Sequence, residues 1–524
     1  MRATESNGGS NGRSNGRSNN IARRDFLRGL GCGLALSGGG WTALRAISPL
    51  SAADAEVTPD VVRFRPEMEP VVAWIESTPR AKILERAVEE LKKGLGYRQL
   101  LGGTFLAGIR NIKPQPLGFK FHAVMVMSSA HQIALDVPQG ERLLPLFWAL
   151  DTFKASQDRD VQEGDWTLSA VKESAVPSPE AARKLFEEAM ARWDIEAADR
   201  AIAGLCRGAG AAEVMERLWP YGLREWRNIG HNIIFTAHAW RTLQTIGWDH
   251  AEPVLRSLVF GLLAGNRDKA SIETFEKSRA LAGGIRPDWA AGKVDGGATA
   301  DFLKMLRTAG AEEAAKEAAA LLNRGVAPES IWDAILAAGC ELLAKKPGIL
   351  PLHAVTGANS LHYAFQASGR DATRLVALLQ GAAWIPYYRE GTRGREGGLP
   401  EGPKIDEIEA AEAAAPPSPA AIFETMSKDR AQGARAILAR AKDGRMPADF
   451  LEAARGVLLR KGNDSHDYKF ASAAFEEAAH ASPRWRPRIL AAAAYFLRTP
   501  GDADSPLYER SRAALSALGG GKWF

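Results

Sequence analysis

The stretch HAVTGANSLH, residues 353–362, repeats the pattern of HAVMVMSSAH, residues 122–131. Each carries His-Ala-Val, a Ser seven places after the first His, and a second His nine places after it. Two looser copies stand in register with them, HNIIFTAHAW from His231 and HDYKFASAAF from His466. The first histidines are therefore spaced by 109, 122 and 113 residues. The flanks keep the same order. Upstream of each lies a helix pair, clearest as EEAAKEAAALLNRG followed by APESIWDAILAAGCELL; downstream lies an apolar helix such as EPVLRSLVFGLL or TRLVALLQGAAWI.

These segments are rich in Ala, Leu, Glu, Lys and Arg, carry helical periodicity and stop at Gly or Asn-Arg-Gly, whereas alternating strand patterns are nearly absent. The expectation is an all-α protein of about four helical units of roughly 110–120 residues, arranged as a solenoid or as a closed helical toroid. Expected boundaries are 56–176, 177–290, 291–390 and 420–524, with a flexible loop over 391–419. Pro177-Ser178-Pro179 and the Gly-rich KVDGGATA mark breaks, and a long Gly/Pro-rich stretch follows Arg389. A loop of that length serves as a lid or carries no structure of its own.

Residues 1–20 form a Ser/Asn/Gly/Arg tract with nothing to bury. The sequence ARRDFLRGLGCGLALSGGG that follows, with Arg23 and Arg24 ahead of Phe26 and Leu27, resembles a twin-arginine export signal. Small residues in SAADA suit cleavage near Ala55. That resemblance implies delivery to the translocase of the twin-arginine route in folded form. It also implies a periplasmic or other extracytoplasmic location, and a raised expectation of a cofactor loaded before export. Glycines and Arg45 interrupt the apolar stretch, so no stable membrane span is expected after cleavage.

The 524 residues carry 67 Lys plus Arg against 62 Asp plus Glu, a formal charge of +5. Residues 1–55 hold most of that excess, and the remainder is nearly neutral. Charge thus gives no support for a nucleic-acid partner. Three cysteines without a CxxC pair exclude a disulfide scaffold, a zinc ribbon and a cysteine-ligated iron–sulfur cluster. No G-x-S-x-G elbow, P-loop or His-Glu-x-x-His is present.

Seven of the nine histidines fall in the four quoted segments. Seven helical positions turn through about 700°, close to one face. One stripe therefore joins His122 with Ser129, His231 with His238, and His353 with Ser360, while His131 and His362 point elsewhere. If the units close around an axis, His122, His231, His353 and His466 can converge as metal ligands with His238 beside them. Imidazole suits iron, copper or zinc. In an open arc the same residues stay apart and serve packing. In HDYK, Tyr468 and Lys469 are candidates for catalytic proton transfer, alongside His466 and Asp467. Asp151, Lys154 and Gln157 lie at helical spacing and suit either a cleft or an ion pair.

The run LHAVTGANSLHYAF followed by RLVALLQGAAWIP resembles the His-bearing segments of the questin oxidase-like family. The resemblance implies an all-helical oxidoreductase that oxidises an aromatic or quinone-like small molecule with oxygen, taking electrons from a reduced nicotinamide. Two readings of function follow. One is an exported metal- or cofactor-dependent oxidoreductase with a histidine-lined pocket; the other is a non-catalytic helical scaffold for a protein or polymer partner.

Overall fold

The computed structural model describes residues 60–519 except 227, 395–397 and 442–443, so the export signal expected over 1–55 lies outside the described residues. The described chain is all-α: twenty-three helices and, in place of strands, two isolated bridges, Val61 with Ser169 and Lys293 with Val326.

The first unit runs through α1 (Glu69–Ser77), α2 (Ile83–Lys92), α3 (Tyr97–Asn111), the short α4 (His122–Met125), α5 (Met127–Asp136) and α6 (Leu143–Gln162). Next come α7 (Pro179–Arg192), α8 (Ile195–Gly208), α9 (Ala211–Leu223), α10 (His231–Ile246), α11 (Ala251–Leu263) and α12 (Lys269–Ala282). The third stretch holds α13 (Gly296–Leu306), α14 (Ala311–Asn323), α15 (Pro328–Lys345), α16 (Ile349–Ala367) and α17 (Asp371–Arg393). The last holds α18 (Pro419–Lys428), α19 (Arg430–Arg440), α20 (Ala448–Lys461), α21 (Ser465–His480), α22 (Arg486–Ala492) and α23 (Tyr508–Leu518).

The sequence punctuation acts as local chemistry predicts. Ser178 caps α7 through its hydroxyl with Pro179 in the first turn, and Asp194, Asp268 and Asp295 cap α8, α12 and α13 with their carboxylates. Helix α17 continues past Arg389 to Arg393 because Arg389 is buried there, donating to the carbonyls of Leu306 and Ala309. The segment after it is anchored: Ile405 is buried, its amide donates to Glu341, and Asp406 pairs with Arg307.

Four helices at the centre position the site. Helix α10 packs on α16, α16 on α21, α21 on α5, and α5 back on α10. At the outside, α23 packs on α2, where Arg510 meets Glu85 at 2.9 Å, joining the C-terminal end to the first unit. The first histidine of each segment sits within the opening turns of its helix, so the four run parallel with their N-terminal ends together. Polar pairs bind them further along: Ser472 to Gln132, Arg241 to Glu476 at 2.8 Å, and Asn359 to Glu477 at 2.8 Å. No described helix is long and apolar enough to cross a membrane.

Candidate metal centre

Three imidazoles meet where the four helices begin. His231 Nε2 lies 3.1 Å from His122 Nε2 and 3.1 Å from His353 Nε2. One nitrogen from each of the three lies within 4.8 Å of the others. The fourth ring, His466, has its centroid 4.4 Å from that of His122 and 5.2 Å from that of His353. His122 and His231 are almost wholly buried and His353 completely so.

The outer nitrogens are held by fixed partners. Nδ1–H of His231 donates to the carbonyl of Asn228 at 2.5 Å, and Nδ1–H of His353 to that of Ile349 at 2.6 Å. His466 Nδ1 is 2.5 Å from the Asp464 carboxylate. The two carbonyls fix the tautomer of His231 and His353, leaving the Nε2 of each as a lone pair. The 3.1 Å contact between His231 and His353 is then a meeting of two acceptors, which is repulsive unless a cation stands between them. Protonation is a poor remedy. Burial pushes His122, His231 and His353 well below the ordinary histidine range, and the charge of Lys469 adds to it in all three. The positive ends of four helices work in the same direction. A tetrahedral ion with metal–nitrogen bonds of about 2.0–2.1 Å sets its ligands about 3.3 Å apart, near the observed spacing.

Local backbone builds this arrangement. Asn228 and Ile229 take φ of 55° and 54° and Gly230 takes 85°, a left-handed run in which a β-branched residue is strained. That run turns the Asn228 carbonyl onto His231, and the Tyr388 hydroxyl donates to the Ile229 carbonyl at 3.3 Å. Gly118, at φ 110°, lies against the rings: a Cβ there would stand 3.2 Å from His231 Cε1 and 3.7 Å from His122 Nε2.

Two polar atoms nearby are buried without a hydrogen-bond partner, His466 Nε2 and Lys469 Nζ. Lys469 lies one turn beyond His466, almost fully buried, and burial brings its ammonium down to about 7. Among the remaining sequence candidates, His238 lies two turns along α10, about 10 Å from the level of His231. Its Nδ1 is hydrogen-bonded to Ser128. The contact is made by Ser128, while the hydroxyl of Ser129 is buried without a hydrogen-bond partner. Tyr468 stacks on Trp148 at 4.1 Å, and Asp467 pairs with Arg498 at 2.9 Å.

His131 binds the Tyr97 hydroxyl at 3.1 Å. Asp151 pairs with Arg80, and Lys154 caps the carbonyls of Ile75 and Glu76 at the end of α1, so that cluster is structural. Cys206 and Cys340 are both free thiols.

Sequence reasoning passed over four residues. Asp464 stands two places before His466 as the cap of α21, a recognisable Asp-x-His at a helix start. Gly118 gives no signal of its own. Glu477 and His480 form a Glu-x-x-His pair on α21, with His362 facing them. No family model, no curated protein and no solved structure matches this chain.

Proposed function

We propose that His122, His231, His353 and His466 hold one transition-metal ion, and that the protein is an exported oxidoreductase acting on a small apolar molecule. The carrying observation is the facing of the His231 and His353 Nε2 atoms, whose opposite nitrogens are locked onto backbone carbonyls. Iron, copper or zinc suits an all-imidazole set, and iron or copper supplies one-electron and oxygen chemistry when bound.

The chain's own groups have separable tasks. Asn228, Ile349 and Asp464 orient the rings and raise their donor strength. Lys469 is the group for proton transfer, since its amine is available near neutral pH and its ammonium can hold an oxygen anion. The left-handed run before His231 and Gly118 keep bulk away from the inner nitrogens. Two of the most exposed large apolar residues, Phe119 and Ile349, lie on the segments that carry the site, beside Gly118 and at the start of α16. They suit an apolar substrate, in line with the questin oxidase-like resemblance and its aromatic or quinone-like substrates. The twin arginines support export, and a reduced nicotinamide is the electron source that the same resemblance implies.

A structural ion inside a binding scaffold is the second reading, favoured by the burial of the three inner histidines. Elemental analysis and an absorption spectrum of the purified protein test both. About one iron or copper per chain, lost in His231→Ala or His353→Ala, with a spectrum that azide perturbs, supports the oxidoreductase. An azide-blind zinc ion favours the scaffold, and a colourless metal-free protein overturns the metal centre.

A further inference from the structure

Helices α16 and α21, which carry His353 and His466, meet again about 13 Å farther along at a second group of ligand-type side chains. His362, Glu477 and His480 bring one imidazole nitrogen each and a carboxylate oxygen within 4.8 Å of one another. We propose that these three residues form a second divalent-cation site, of zinc type, that staples α16 to α21 independently of the inner centre.

Spacing and chemistry both favour it. Glu477 and His480 are three apart on α21 and so share a face. Two nitrogens and one carboxylate oxygen, with a position left for water, make a donor set that zinc accepts. The Glu477 carboxylate is almost fully buried, and its one ionic partner among the described residues is His362 Nδ1 at 2.7 Å. The neighbouring Glu476 takes the guanidinium of Arg241 instead. A buried carboxylate held by an imidazole and an amide, with no Lys or Arg paired to it among the described residues, suits a cation.

The surroundings are built to hold such a group. Asn359 Nδ2 donates to Glu477 Oε1 at 2.8 Å, fixing the carboxylate. The Trp332 indole stacks on the His362 ring at 4.6 Å, fixing its plane. The Gln366 amide lies 3.1 Å from His362 Nε2 and 3.4 Å from His480 Nδ1. Turned over, its oxygen accepts the Nε2 proton of His362 once Nδ1 is a ligand, the outer hydrogen bond that metal-bound histidines require. His480 is exposed, so an ion has a path in and the ring has room to close on it.

The test is titration of metal-stripped protein with Zn²⁺, and in parallel with Co²⁺, by calorimetry and thermal unfolding. His231→Ala protein, in which the inner centre is broken, is expected to keep one zinc ion and to gain thermal stability from it. Adding His480→Ala should abolish that uptake or weaken it at least ~10-fold, and the gain in stability should vanish. His480 is exposed, so its removal leaves the core intact. Glu477→Gln in the otherwise unaltered chain, which keeps the Asn359 contact, should likewise bind one ion fewer. Equal zinc uptake and equal unfolding midpoints with and without His480 overturn the second site, whatever the inner centre holds. Zinc bound only here would instead count against the inner centre and leave this site standing.

Discussion

Asp464 serves His466 twice: its carboxylate oxygen lies 2.5 Å from the ring Nδ1 and also accepts the His466 backbone amide at 2.7 Å. Burial opposes its charge, yet the hydrogen bonds from His466 hold its carboxyl down at about 2. The two roles separate by substitution. Asp464→Asn keeps a cap for α21 but loses the charge behind the imidazole, so metal affinity should fall about 10–100-fold with little change in melting temperature. Asp464→Ala should add the loss of a cap, about 1 kcal/mol. Metal titration beside thermal unfolding of the two variants checks both.

His238→Ala should leave the ion content of the inner centre unchanged. The ring lies two turns from His231 and is bound to Ser128, so its loss costs packing rather than a ligand. His231→Ala, on the same helix, should empty the centre. Elemental analysis of the pair decides it, and loss of the ion from His238→Ala would show that the four helices tilt more than their contacts indicate.

Gly118→Ala should disturb the centre without touching a ligand. A side chain at φ 110° is strained, and the added carbon falls within 3.2 Å of the His231 ring. The expected result is a loss of about 1–3 kcal/mol of stability together with weakened metal binding. Unfolding by denaturant with metal analysis of the folded fraction tests this.

The buried Lys469 predicts how the metal-free protein responds to alkali. Its amine titrates at about 7 in the folded chain and near 10.5 when unfolded, so between those values the unfolded chain binds more protons. Stability should therefore rise with pH across that window, by at most about 1.4 kcal/mol per pH unit, and fall as pH drops back toward 7. Lys469→Met should flatten the rise and lift stability at neutral pH, since a buried amine without a partner is replaced by an apolar chain of similar length. Denaturant unfolding of both proteins between pH 7 and 10 measures the slope.

The fold was legible because helical propensity and the four spaced His segments report on the same architecture. HAVTGANSLH lies within α16, and the apolar run after it becomes α17. Convergence of His122, His231 and His353 followed from the repeat only under the condition that the units close, and linear spacing says nothing of closure. It was the contact of α21 with α5 that brought the first and last segments together. Asp464, Gly118 and the Asn228 carbonyl were missed for a common reason. They act through backbone conformation or through a neighbour's side chain, and a motif scan weighs residue type alone.

The four clustered histidines follow one another at intervals of 109, 122 and 113 residues in the chain. No single unit owns two of them, so no fragment and no partly folded intermediate possesses the site. Such contacts close long loops, whose entropy is lost before the contacts can repay it. A bound ion would therefore act as a clasp fastened after the last unit has docked on the first, and the amount of metal carried would count completed molecules rather than synthesised chains.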